Sequence, residues 1–504
     1  MPTPADKNGP PRSATKGSSP RSTLEVRPPR SATKGSSPRS TLEVRPPRSA
    51  EEIRALNDVE YESFAGFAQP REQTAAWTAH IGHDNMRVAV RDGRVVAGLG
   101  ILHFGLYFGG RAIPATGISA VAVAPDARGS GVATELMNAL LREQARAGTP
   151  LSVLFPASYA LYRGAGYEVA GSRVMFRLAL RTIGVRARAL RVRPATAADH
   201  PAINAIHTAR ALRTSGHVQR GPREWRTILE YGLDPIFAYV VERAGSGAVA
   251  PDGKHSAGRS AVASRTSSTQ RAAVRRAAAG GSIRDAGRAA PDAHATVEGY
   301  IIYTQTATRG AGFELHVRDM AASTPEAGRR LLSFLASNMT MAEHASVLTG
   351  PAESLLASAS EEWHDSMSRI LWMMRIADAP RALEQRGYPP GMQAALRFEL
   401  RDELLRRNRG TFELRVADGR GRVRALAGGG RSARAHAGGG TGPMIRGRSA
   451  LPLRMHIRGL SPLFSGLLSA GEVAQMGLIE GDEAALATAT AIFSGPAPWM
   501  NDRF

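Results

Sequence analysis

The stretch that decides the fold is Ile118–Ala133, ISAVAVAPDARGSGVA. Its first half reads as a buried strand, and Pro125 closes it. Its second half carries Arg128, Gly129, Gly131 and Ala133 in a loop that runs directly into a helical pattern. Val132, Leu136 and Leu140, with Met137 and Leu141, repeat on one face, and Gly148 stands where a glycine ends a helix. Strand, loop and helix in this order make an anion cradle. The first helical N–H groups lack intrahelical partners, the dipole favours negative charge, and glycine lets a phosphate reach the backbone. A P-loop reading fails because no Gly-Lys-Ser/Thr follows. A Rossmann reading fails because the loop comes late in its module, and Gly148–Leu151, about 20 residues on, carries no acid. The residues themselves point to a phosphate-bearing ligand at this loop.

Outward from this stretch the pattern is α/β (α+β). A helix is expected over Ala50–Phe67, then a strand Met86–Arg91 turned by Asp92–Gly93 into Val95–Ile101. Leu151–Phe155 and Val174–Leu180 complete a first module, 43–182. A second module, 183–366, restarts with a strand at Leu190–Pro194 and a helix at Ala197–Arg210. Its strands Phe237–Glu242 and Val297–Thr304 form a hairpin whose turn is an insert, 245–295. The third module, 367–504, has strands near Leu371–Ile376, Ala394–Leu400, Phe412–Val416 and Pro452–Ile457, followed by three short helices. The length of 504 residues suits three domains.

Net charge is +21, which ordinarily points to nucleic acid or anionic lipid. Segments 1–48, 245–295 and 418–448 hold +18 of it, so the rest is nearly neutral. Each segment is rich in Gly, Ala, Ser, Pro or Arg and too poor in large apolar side chains to offset its ordering entropy, so all three are expected to be disordered. No aromatic residues are interleaved for base stacking, which weakens a nucleic-acid reading. Residues 10–27 are repeated without change at 28–45, a tandem duplication of a leader; 1–42 is read as a basic tail. Met1–Gly9 has no apolar core of a secretory signal. With no cysteine, disulfides, thiolate nucleophiles and Cys-ligated metal are excluded, and the histidines lack ligand spacing, so no metal is expected. No apolar run approaches the ~18–20 residues of a membrane span. A cytoplasmic protein is expected.

Arg-x-x-Gly-x-Ala after a Val-Ala-Val-x-Pro strand resembles the pyrophosphate signature of the GNAT acetyltransferases. Further segments resemble the Eis (enhanced intracellular survival) family, in which two tandem GNAT-like mixed-sheet domains precede a sterol-carrier-protein-like α+β domain. These are Leu161–Tyr167 (LYRGAGY), Ile376–Tyr388 (IADAPRALEQRGY) and the final phenylalanine. The resemblance spans residues 43–504, interrupted by the inserts. It implies an acetyl-CoA-dependent N-acetyltransferase acting directly on a primary amine of a small molecule or lysine, assembled as a homohexamer. A non-catalytic acyl-CoA-binding assembly is the alternative.

The resemblance also implies site residues. Val121, Ala122 and Val123 would polarise the thioester, and Arg128, Gly129, Ser130, Gly131, Val132, Ala133 and Thr134 would hold the pyrophosphate. Ser158 and Tyr159 align with a CoA-contacting pair. Tyr162 matches the general acid, and the α-carboxylate of Phe504 the general base. Trp77 and Phe67 fall at substrate-lining positions, although Trp77 reads equally as core packing. Two departures make the acceptor pocket less acidic: Gly66, where relatives can carry an acid, and Arg503 before the terminal residue. Asp502, Glu60 and Glu62 are the acids placed to compensate. The second module lacks the cradle; its counterpart, Pro325–Arg330, has only Gly328, with Asp319 and Glu326 nearby to oppose a phosphate.

Overall fold

The Asp92–Gly93 turn shows how local chemistry sets the first sheet. Both residues take positive φ, 52° and 78°, as a two-residue hairpin loop requires and Asp-Gly favours. The computed structural model describes residues 42–64, 70–230, 232, 234–244, 295–308, 312–351, 354–358, 366–426 and 452–504. The tail before 42, the insert 245–294, the segment 427–451, and Gly66 and Phe67 lie outside the described residues.

In chain order the first module comprises β1 (Glu43–Arg45), α1 (Ala50–Phe64), α2 (Arg71–Ile81), β2 (Met86–Arg91), β3 (Arg94–Phe108), β4 (Arg111–Val123), α3 (Val132–Ala147), β5 (Leu151–Leu154), α4 (Tyr159–Gly164) and β6 (Glu168–Ala179). The second comprises β7 (Arg191–Pro194), α5 (His200–Leu212), β8 (Val218–Gln219), α6 (Pro222–Leu229), β9 (Ile236–Arg243), β10 (Thr296–Ala307), β11 (Phe313–Ala322), α7 (Pro325–Ala336), β12 (His344–Thr349) and β13 (Ser366–Ile376). The third comprises α8 (Ala379–Gln385), β14 (Ala394–Arg401), β15 (Gly410–Ala417), β16 (Arg420–Leu426), β17 (Leu453–His456), α9 (Ile457–Ser465), α10 (Ala470–Gln475), β18 (Ile479–Glu480) and α11 (Glu483–Phe493).

The first two modules share one sheet of 13 strands, in the order β1-β2-β3-β4-β5-β13-β6-β12-β11-β10-β9-β7, with β8 added on β3. This corrects the boundary expected at 366/367. The strand Leu371–Ile376 does not open the third domain; as part of β13 it lies antiparallel between β5 and β6. Its sequence explains the placement. Trp372, Met373, Met374, Arg375 and Ile376 are all fully buried, so the strand needs cover on both faces and partners on both edges. Gly171 makes room for Trp372, whose ring would lie 2.3 Å from a Cβ added there.

A second correction concerns the segment expected to be unstructured from 418. Asp418 and Gly419 form another positive-φ hairpin turn, and Arg420–Leu426 pairs along its length with β15. Alternation was hidden by charge: Arg420, Arg422 and Arg424 face outward, while Gly421 and Val423 face Tyr388 and the third-domain core.

The third domain is a five-stranded sheet, β16-β15-β14-β17-β18, with α9, α10 and α11 packed on it. Its apolar core is continuous with that of the first module: Phe108 and Phe464 meet edge to face at 5.3 Å. Arg375 joins the two, donating to the Ala165 carbonyl at 3.0 Å and, at 2.7 Å, to both carboxylate oxygens of Asp402. No helix among the described residues is long and apolar enough to cross a membrane.

Candidate active site

β4 and β5 pair in parallel only at Ala115–Leu151, Thr116–Ser152 and Gly117–Val153. Beyond Gly117, β4 runs on to Val123 without a partner on that side, opening a fork. A β-bulge lies just past the fork: Ala120 takes φ 52°, and the register with β3 shifts between Gly98 and Gly100. Left-handed backbone at an alanine outside a turn costs roughly 1–3 kcal/mol and collects at functional sites. Ala124 N donates to Val96 of β3. By strand alternation the N–H groups of Val121 and Val123 therefore point into the fork, whereas Ala122 turns its amide to β3 and its methyl into the core.

The loop Arg128–Gly131 is open. Gly129 and Gly131 take φ 73° and 85°, and a Cβ added to either meets no atom within 4 Å. Gly131 is the N-cap of α3, with no side chain capping the helix, so the amides of Val132, Ala133 and Thr134 remain for a ligand. Ser130 Oγ donates to the Ala127 carbonyl at 2.6 Å, which tightens the loop from within. Val132, Leu136, Met137, Leu140 and Leu141 are buried, each worth about 2 kcal/mol, and anchor the helix beneath this loop. These residues fit a pyrophosphate.

The second module shows the contrast. α7 is capped by Thr324, whose Oγ1 accepts from Ala327 N at 3.2 Å and donates to Glu298 at 2.7 Å. The Thr324 hydroxyl thus occupies the Ala327 amide, and the carboxylate behind it is Glu298, which also pairs with Arg243. Asp319 faces the other way, into a buried cluster with Arg210 and Arg220.

At the fork Tyr162 occupies α4, a helix capped by Ser158. Its ring packs 6.0 Å from Tyr167, whose hydroxyl bonds Ser152 of β5 at 2.7 Å. Burial pushes the Tyr162 phenol up to about 12. Ser158 and Tyr159 lie exposed at the start of the same helix.

Phe504 closes the other side. Its ring lies 5.2 Å from Phe104 and 5.6 Å from Phe155, over Gly117 at the mouth of the fork. Trp77 packs in the same apolar cluster as Phe104 and Phe504 and donates through Nε1 to Ser119 at 3.1 Å. Phe504 and Phe155 pack on the cluster that holds Leu151 and Val153, whereas Tyr162 and Tyr167 pack with Leu154 and, through Ser152, on the other face of β5. The acids placed to compensate do not all reach the fork. Asp502 is taken by Arg220, and Glu60 is buried, its carboxyl raised to about 8 by desolvation. His80 and His103 are both pushed below the usual histidine range, by burial first and then by arginines including Arg223.

Sequence reading missed Phe104, Phe155, the Ala120 bulge and the role of Gly117. An isolated glycine in a strand signals close approach by another group, and Gly117 was open to that reading.

Three family models match in turn: an acetyltransferase (GNAT) domain at residues 43–170, a second at 265–376, and a sterol carrier protein domain at 379–501. The chain carries two GNAT acetyltransferase domains followed by a sterol carrier protein domain. It is an acyltransferase by this architecture, and GNAT domains take acetyl-CoA as co-substrate. Among solved structures, it is similar to a GCN5-related N-acetyltransferase from Anabaena variabilis: 27% identity, TM-score 0.73, covering 92% of this chain and all of the other. A GCN5-related N-acetyltransferase from Kribbella flavida (23%, TM-score 0.69, 92% and 99% covered) shares the fold. So does Eis1 from Mycobacterium abscessus (19%, TM-score 0.63, 92% and 100% covered). No curated protein sequence matches it. The end of the second match at 376 and the start of the third at 379 fall at the end of β13, where the corrected boundary lies.

Proposed function

We propose that the chain transfers the acetyl group of acetyl-CoA directly to a primary amine, of a small molecule or a lysine side chain, in the first-module cleft. The observation that supports this is the β4–β5 fork that opens beyond Gly117, with the Phe504 ring over Gly117, together with the uncapped amides at the start of α3. Arg128, Gly129, Ser130, Gly131, Val132, Ala133 and Thr134 hold the pyrophosphate, with Ser158 and Tyr159 along the pantetheine arm. The N–H groups of Val121 and Val123 polarise the thioester carbonyl, where negative charge develops.

The amine attacks the carbonyl carbon as the C–S bond breaks. Its proton passes to the α-carboxylate of Phe504, and Tyr162 O–H protonates the departing thiolate. Burial holds the Tyr162 phenol at about 12, so it is protonated at neutral pH and its O–H is present as the donor when charge develops on the sulfur; the same burial makes it a weaker acid, so its proton moves only as the C–S bond breaks. Trp77 lines the acceptor. A homohexamer in the cytoplasm completes the reading.

The test is thiol release from acetyl-CoA across an amine panel, comparing the protein with Tyr162→Phe and with one residue added after Phe504. Loss of about 10²-fold or more in kcat is expected for each change. Normal turnover in both variants overturns the assigned roles, and binding of acetyl-CoA without thiol release on any amine supports a non-catalytic assembly.

A further inference from the structure

The segment ending in Phe504 is threaded between the two GNAT modules. Ser172 of β6 donates to the Pro498 carbonyl at 3.2 Å and accepts from Met500 N at 3.1 Å; Trp499 N donates to Ser215 at 2.9 Å on the opposite side. Gly216 and Gly350 leave space for Trp499: a Cβ on Gly350 would lie 2.7 Å from its ring. Asn501 Nδ2 then donates to the Arg318 carbonyl at 2.7 Å. Asp502 accepts from Arg220 Nε at 2.7 Å and from Nη2 at 3.3 Å. The same guanidinium donates through Nη1 to Asp319, which also accepts from Arg210 at 2.8 Å and from the Tyr300 hydroxyl at 2.8 Å. Arg220, Asp319 and Asp502 are all buried.

We infer that Arg220 is a positioning residue for the proposed general base, acting through Asp502. The inference rests on the reading of Phe504 given above. Two arginines and two carboxylates cancel in this cluster, so it lends the terminal carboxylate little net field. Apolar residues of similar volume are often as stable as a buried ion pair, so stability is a weak reason for so much buried charge. What the cluster supplies is geometry. The planar Arg220 fork fixes Asp502 from two nitrogens, and two residues of chain span at most about 7 Å. With Asp502 locked at one end and the Phe504 ring wedged between Phe104 and Phe155 at the other, the carboxylate has little freedom left. Arg503, between the locks, stays exposed. A misplacement near 1 Å can cost about 10²-fold in rate.

The experiment is a double-mutant cycle on the full chain. D502N keeps the shape of the side chain but removes its charge, and R220K keeps the charge but cannot fork between two carboxylates. Each is measured alone and combined with the one-residue extension after Phe504. The expected result is a fall in kcat of about tenfold or more for either substitution, with KM for acetyl-CoA unchanged, and no further loss when the extension is already present. Equal losses in both backgrounds, or full activity in D502N and R220K while the extension inactivates, overturn the positioning role and leave the base reading standing. An extension without effect overturns the base reading and the positioning role together.

Discussion

The Phe504 ring lies 5.2 Å from the Phe104 ring, and Gly117 supports both from below. A Cβ on Gly117 would stand 2.7 Å from Phe104 Cε1 and 2.9 Å from Phe504 Cδ2. Both are side-chain ring atoms rather than backbone, so an added methyl pushes the rings aside and leaves the strand intact. Gly117→Ala is expected to lower kcat about tenfold through displacement of the carboxylate, while the melting temperature changes little. Carboxypeptidase should trim residues from the variant faster than from the parent, and equal trimming with equal kcat contradicts the proposed wedge.

Glu60 supplies a pH test. Its carboxyl, buried between α1 and α2, is raised from 4.5 to about 8 by desolvation, with a hydrogen bond from Thr78 working the other way. A raised carboxyl favours folding while protonated, so its contribution is whole below pH 4.5 and is lost as pH climbs towards 8. The loss at pH 7 is on the order of 3 kcal/mol. Glu60→Gln removes the titration. Its melting temperature relative to the parent should therefore rise between pH 5 and pH 8; an offset that is the same at both pH values shows that Glu60 does not carry this linkage.

The insert 245–294 offers a test by deletion. Thr296 pairs directly with Arg243, so the β9–β10 ladder continues to the edge of the insert. Replacing the insert with a short Gly-rich turn leaves that register intact and shortens the loop to be closed, which favours the folded state. Thermal melts should show a melting temperature no lower than the parent's and acetyltransfer should be unchanged; a fall in either assigns the insert a structural or catalytic part.

The local features were legible because their causes are local. Asp92–Gly93, the α3 stripe and the Gly131 and Gly148 caps are written in residue type and spacing, and the structure has them where the sequence puts them. The course of the Gly-rich loop into α3 was legible for the same reason. What stayed hidden depends on partners far along the chain. Leu371–Ile376 reads as an apolar strand, but nothing in it says that its edges belong between β5 and β6. Arg420–Leu426 reads as basic low complexity, because outward arginines mask an alternation that β15 completes. Asp502 reads as a free acid beside the acceptor until Arg220, 282 residues away, consumes it.

The insertion of β13 between β5 and β6 bears on biosynthesis. When residues 43–179 emerge from the ribosome, the seat between β5 and β6 has no occupant. It stays empty until Ile376 is made, roughly 10–40 s later at ~5–20 residues per second. During that interval the nascent domain exposes two unpaired strand edges, a standing invitation to chaperones or to a neighbouring copy's β13.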